Sequence, residues 1–292
     1  MSGADAAVTR PGNQPPHIER PARVLLGWLS PEEAALYQSG RGTRQPEVED
    51  ASRAERARVA VSERAVGIDQ TGVVSDPPVV LNEHIERLQE PAAAYFREGW
   101  RVAVVDLSRV CAVQPSVFVD HAEQRTAGID PNDIRSLAAA ALPLPADSAL
   151  PIQFDEARQT WVISSPNPNL RIVGHWSTPL QPGIFGLGFG VSVMPSFLQV
   201  AGFQGRFVLR DGYHRAYGFL LRGITRVPAF VREFAPFQDL GLGAGLLNQA
   251  AYLGDRPPLL GDYLDDAVSV LVRVPAVQKM IVVAGIELTP LA

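Results

Sequence analysis

Phe207–Val231, FVLRDGYHRAYGFLLRGITRVPAFV, is the stretch on which the fold turns. Its Val/Leu-rich start suits a short strand over Phe207–Leu209, and its end suits a second strand over Val227–Phe234. Between them Asp211-Gly212 makes a tight turn, Tyr213 to Arg222 has helical composition, and Gly223 fits the left-handed position that ends a helix. Asp211 is expected to cap this helix, and Gly212 to let a ligand approach the backbone. A helix entered directly from a strand turns its first free amides toward one place, which favours an anion. His214 and Arg215 fall in the first turn, where cations oppose the positive helix end. A phosphate or carboxylate between them would relieve that conflict.

Asp211, Gly212, His214 and Arg215, followed by Gly223, Ile224, Val227 and Pro228, resemble the signature of the ParB/sulfiredoxin-like nucleotide-binding superfamily. Its members share a strand, a turn of this type ending in paired basic residues, a helix and a short G-I/V-x-x-V-P strand. VVDLSRVCAVQPSVF, Val104–Phe118, is similar to that superfamily's opening strand, short helix and Gln-Pro element. Ser116 stands where the family usually has an arginine soon after the Gln-Pro pair. The two motifs are also farther apart than a minimal domain needs, which implies either a large insertion between Asp130 and Gly205 or an accidental first match.

The resemblance implies an α/β (α+β) domain over residues 100–234 that binds nucleotide phosphates at the helix N-terminus. Arg215 would be the phosphate clamp, with Gly212, Tyr213, His214 and Gln114 around the ligand. The fold alone does not settle the reaction. Sulfiredoxin chemistry needs a reactive cysteine in the turn, where this chain has Tyr213. A partition protein would continue into a helix-turn-helix and a dimerisation tail, whereas the residues after Phe234 read as a Gly-rich segment and two strands. Phosphoryl transfer or nucleotide hydrolysis would need a clamp, a metal carboxylate and a base. Arg215, Asp211 and His214 are the candidates, with ATP or CTP and Mg²⁺ as cofactor. The plainer alternatives are Asp211 as a cap, His214 as a hydrogen-bond donor to phosphate, and Arg215 in a structural ion pair with Asp106 or Glu233. A non-enzymatic scaffold retaining the pocket is the competing class.

Outward from this motif, Arg101–Leu107 is a strand candidate bounded by Gly99. Asn82–Glu98 reads as a helix interrupted near Pro91, with Tyr95 and Phe96 packing on the domain that follows. Ser30 with Pro31, Glu32 and Glu33 predicts a capped helix ending at Ser39-Gly40. Ala51–Val66 reads as a helix whose interleaved Glu and Arg form a solvated face. Residues 1–22 read as a flexible tail, 23–99 as a helical region and about 143–205 as a β-rich insertion, with closure of that segment over the pocket as a further expectation. IFGLGFG at Ile184–Gly190 reads as an apolar turn or bulge, since no Lys-Ser/Thr follows it. Residues 235–292 read as a helix over Leu240–Leu253 plus two apolar strand blocks within Ala267–Leu288, separated by Pro275.

The remaining titratable groups point to less. His121 beside Asp120 and Glu123 reads as a solvated helix start rather than a divalent-ion site. His84 is placed on an exposed helical face, His175 in a loop or core, and His17 in the tail. Cys111, the only cysteine, reads as a small buried hydrophobe and excludes an intrachain disulfide.

The 292 residues are 46% hydrophobic and 20% charged, enough for a sizeable core. A net charge of -5 argues against nucleic acid as a partner, leaving a DNA-acting role for the Arg-rich Arg41–Arg64 as the third reading. Only Lys279 is lysine among the 26 basic residues, a bias read as that of a GC-rich genome. With no long apolar run, the expected partners are a nucleotide or phosphorylated small molecule, with room for a protein partner or homo-oligomer and none for a membrane; the expected location is cytoplasmic.

Overall fold

A computed structural model describes residues 18–283, apart from 43–44, 46, 146–149, 151, 166–169, 194, 243–244 and 277–278. Residues 1–17, with His17, and 284–288 of the last apolar block therefore lie outside the described residues. In chain order the elements are β1 (Glu19–Val24), α1 (Pro31–Gln38), α2 (Val48–Ser62), β2 (Val74–Ser75), α3 (Asn82–Leu88), α4 (Ala93–Arg97), β3 (Arg101–Asp106) and β4 (Ser116–Phe118). They continue with α5 (Val119–Thr126), α6 (Ile134–Ala141), β5 (Ile152–Asp155), β6 (Thr160–Ser165), β7 (Leu170–Gln181), β8 (Ile184–Val193) and β9 (Gln199–Phe203). The last are β10 (Arg206–Asp211), α7 (Tyr213–Leu221), β11 (Arg226–Phe234), α8 (Gln249–Leu253), β12 (Val270–Pro275) and β13 (Lys279–Val283). The chain is thus a mixed α and β protein.

The main sheet has the order β10-β9-β11-β3-β2. β9 and β10 form an antiparallel hairpin; α7 then crosses over and returns the chain as β11, parallel to β9, with Phe230 opposite Gln199. β3 lies antiparallel on the other side of β11, Val227 facing Val105. Val102–Val105, Gln199–Phe203 and Val227–Val231 are unbroken buried runs, the pattern of strands covered on both faces. Pro91 falls between α3 and α4, and Tyr95 beyond the break stacks on Phe230 at 5.3 Å while Phe197 meets Tyr95 edge-on. The expected insertion does not reach Gly205: β9 is an inner strand of this sheet. Its lack of charge hides the difference between a buried strand and the apolar segment before it.

A second sheet, β12-β1-β4, joins both ends of the described chain. Glu19–Ala22 therefore do not belong to a tail; they pair with Val272–Pro275, and Ala22 also faces Phe118. Pro21 and the polar residues before it mask this strand in the sequence. α1 carries the expected Ser30 cap and completes it as a reciprocal box, Ser30 Oγ accepting from Glu33 N at 3.2 Å and Glu33 Oε2 accepting from Ser30 N at 2.9 Å, and it ends at Gly40. α2 buries Ala54, Ala57 and Val61 and keeps Glu49–Arg53 and Glu55–Arg58 pairs outside. α5 packs on α7 through Gly218, where a Cβ would lie 2.6 Å from the Ala122 carbonyl oxygen.

Two small sheets stand apart, β13-β6-β5 and the β7–β8 hairpin. Ile184–Gly190 is a strand rather than a turn or bulge, its glycines alternating with Phe185, Leu187 and Phe189. The two blocks around Pro275 are strands, but each joins a different sheet, β12 on β1 and β13 on β6. In the expected Leu240–Leu253 helix only Gln249–Leu253 is α-helical, since glycines weaken what precedes it.

Candidate functional site

The chain enters α7 from β10 through Gly212, whose φ of 96° is a conformation that L side chains rarely adopt. A Cβ there would also lie 3.0 Å from Leu198 Cα, so this glycine serves the close approach of the β9 entry rather than of a ligand. Asp211 does not cap the helix. Its Oδ1 accepts from Gly212 N at 2.6 Å and its Oδ2 from Ser196 Oγ at 3.3 Å, which fixes the carboxylate at the strand end. The first amides of α7, on Tyr213, His214 and Arg215, receive no side-chain cap among the described residues. Around them Gln114, Arg125, Ser196 and Asp211–Arg215 line a cavity of about 170 Å³. Pockets that enclose a drug-sized ligand span about 300–1,000 Å³, so this one suits an anionic group whose carrier remains outside.

Arg215, only 3% exposed, is tied to the protein. It donates to the Ala140 and Ala141 carbonyls at 3.0 and 3.1 Å, to Ser196 Oγ at 2.7 Å and to the Ser196 carbonyl. Neither Asp106 nor Glu233 pairs with it; the guanidinium ties α7 to the end of α6 and the approach to β9. Burial, with Arg125 adding repulsion, lowers its pKa to about 10, which leaves it charged at neutral pH. Tyr213 is also fully engaged. Its hydroxyl donates to the Leu209 carbonyl at 2.6 Å and accepts from Val113 N at 2.8 Å and Gln114 N at 3.3 Å, while burial pushes its pKa upward. This hydroxyl holds the Gln114-Pro115 segment against the turn, so the two motifs separated in sequence meet in space.

His214 stacks on Phe118 at 5.7 Å and meets His121 edge-on at 5.3 Å, and its buried Nε2 has no hydrogen-bond partner among the described residues. Burial, reinforced by His121, Arg125 and Arg20, drives its pKa down to about 3. At neutral pH it is an uncharged imidazole and a weak base. The conflict expected from a basic pair in the first turn is therefore resolved within the chain: one member is neutral and the other is held by carbonyls. His121 stands at a helix start as expected, in the first turn of α5, but is half-buried rather than solvated, with Asp120 turned to Arg20 at 2.8 Å. His84 is also partly buried, its Nε2 2.9 Å from the Leu142 carbonyl oxygen, whereas His175 is exposed on β7.

Sequence reasoning missed two lining residues, Ser196 and, in the last turn of α5, Arg125. Arg125 lines the cavity, yet among the described residues it makes no hydrogen bond or ion pair. Burial lowers its pKa while the Asp211 carboxylate partly offsets this. A guanidinium offers five donors, and a half-buried one without an acceptor is an invitation to an anion. The signal in the sequence was only an arginine in VDHAEQRT, indistinguishable there from a solvated one.

For a metal, Asp211 is the only carboxylate in the lining, and among the described residues no group of three His, Cys, Asp or Glu could hold an ion. The site fits Mg²⁺ only as a companion of bound phosphates, which is how this ion is commonly held. Cys111 is buried as expected, its pKa raised to about 12, and is no nucleophile. No helix among the described residues is long and apolar enough to cross a membrane, and of the described residues in the 143–205 segment Ser196, at the approach to β9, lines the cavity. Comparison with protein-family models, with curated proteins and with solved structures finds no match.

Proposed function

We propose that the protein is a divergent ParB/sulfiredoxin-like protein that binds the phosphate of a nucleotide or other phosphorylated ligand at the N-terminus of α7. The observation that carries the reading is Arg125, a half-buried guanidinium without an acceptor, set on the same cavity as three uncapped helix amides. In this arrangement Arg125 takes the clamp role that the motif assigns to Arg215. The amides of Tyr213–Arg215 accept the anion from the helix side, and Gln114 closes the rim. ATP or CTP fits this chemistry, with any Mg²⁺ shared between Asp211 and the phosphates. Binding is better supported than phosphoryl transfer, because a neutral, enclosed His214 and an anchored Asp211 are poorly placed to move protons.

Calorimetry and thermal shift with ATP, CTP and inorganic phosphate, with and without Mg²⁺, test the reading on wild type and Arg125→Gln. The expected result is saturable binding by wild type and a loss of roughly tenfold or more in the variant at unchanged melting temperature. Absence of binding by wild type, or equal binding by both, overturns it. One observation favours the scaffold reading: the donors of Arg215 that the motif would direct at phosphate are on backbone carbonyls and Ser196. Failure of wild type to bind would select that reading.

A further inference from the structure

Two opposite charges share the cavity at the entrance to α7 without pairing. Arg125 and Asp211 both line it, and each lies within electrostatic reach of the other. Among the described residues no ion pair joins them, and Arg125 makes no hydrogen bond. A guanidinium has five N–H donors and nothing that accepts. The amides of Tyr213, His214 and Arg215 add donors that no side chain caps.

Asp211 makes the opposite demand. A carboxylate has about four lone-pair positions. Two are filled here, by Gly212 N at 2.6 Å and by Ser196 Oγ at 3.3 Å. What remains can take only a proton donor or a cation. The same two bonds fix the carboxylate at the end of β10, so it does not turn away from whatever enters. The occupant therefore has to accept from Arg125 and the amides while donating to Asp211.

That requirement separates the oxyanions from one another. Sulfate and phosphodiesters carry acceptor oxygens only, and one of them would face the Asp211 lone pairs with no hydrogen between. Two anionic oxygens so placed repel, and the carboxylate stays unpaired. Hydrogen phosphate, or a terminal phosphate ester carrying one proton, offers both kinds of group at once. The second proton of a phosphomonoester leaves at a pH of about 6, so this form is accessible near neutrality. A cavity of about 170 Å³ admits one such group. Resting on the phosphate-site reading above, we infer that the ligand presents a terminal, singly protonated phosphate. Its P–O–H donates to Asp211, and Arg125 and the α7 amides hold its other oxygens. The proton stays on the phosphate and no covalent bond changes; Asp211 sets specificity.

The test is calorimetry of the full chain in EDTA at a pH of about 6.5, with inorganic phosphate and with sulfate. Sulfate matches hydrogen phosphate in charge and shape and lacks its proton, so the ratio of affinities reads this contact. Wild type is expected to prefer phosphate roughly a hundredfold or more, as sites built to receive a hydroxyl do. Asp211→Asn puts a donor where the acceptor was and should gain sulfate, narrowing the preference to about tenfold or less. If that variant melts lower, dimethyl phosphate on wild type replaces it. This diester has no proton to give and should bind no better than sulfate. Equal binding of phosphate and sulfate, or of phosphate and dimethyl phosphate, by wild type overturns the inference and leaves the anion site standing. An undiminished preference in a stably folded Asp211→Asn overturns it as well. Phosphate that binds only when Mg²⁺ replaces EDTA overturns it in favour of a metal at Asp211. Binding of neither anion, with or without Mg²⁺, removes the site and this inference together.

Discussion

At the entrance to α7 the buried cation Arg215 meets four oxygen acceptors, and Phe118, His121 and His214 close on one another. On β7–β8, Phe185 and Leu187 remain open to solvent and one strand keeps a straight, unpaired edge. The first region largely completes itself with contacts drawn from α5, α6, β4 and the approach to β9; what it leaves over among the described residues is the Arg125 guanidinium, the His214 Nε2 and the first amides of α7. The second leaves over its whole surface. The difference separates two kinds of incompleteness: one the size of an anionic group, the other the length of a hairpin.

The sharpest way to break this contrast is Arg215→Met. If Arg215 completes the fold rather than holding a ligand, the variant strands buried carbonyls and should lose roughly 3–5 kcal/mol in urea unfolding without any ligand present. A near-neutral result would return Arg215 to the ligand. Gly212→Ala should cost about 1–3 kcal/mol, since φ is positive and Leu198 leaves no room. A change near zero would show that the turn is not fixed by its neighbours.

Acid probes the same region through His214. Its folded pKa of about 3 lies below the ~6.5 of an unfolded histidine, so between these values the unfolded chain binds more protons and stability falls as pH falls. For His214 alone the loss by pH 5 is roughly 2 kcal/mol relative to pH 7, and urea unfolding of His214→Phe at both pH values should show that part of the acid sensitivity removed. The smallest effect belongs to the other region. Leu187→Glu should change unfolding stability by no more than about 0.5 kcal/mol. A large loss would mean that the hairpin packs on its own chain.

What was legible in the sequence is what depends on near neighbours. The Ser30 cap, the break at Pro91 and the run from β10 through α7 to β11 each have their determinants within a few residues, and each stands where expected. Asp211 was misread as a cap because the same residue type also ends strands. β1 and β9 were lost because their partners, not their composition, make them strands; β1 borrows its ladder from β12 and β4. In the site, Gln114 and Asp211–Arg215 were found through motif spacing. Arg125 was not, because having no partner is a property of the folded surroundings and leaves no trace in VDHAEQRT.

The place of β1 in the middle of the β12-β1-β4 sheet has a consequence for how the chain is made. Its neighbours lie far downstream, at Ser116–Phe118 and Val270–Pro275. A nascent chain presents Val24 long before its partner strand β12 is translated. Closing so long a loop is entropically costly and slow. The main sheet, whose strands end at Phe234, can assemble while synthesis continues, and the β12-β1-β4 sheet closes only after it. Until it is made, the apolar side chains of β1 stay exposed to holding chaperones and to proteases.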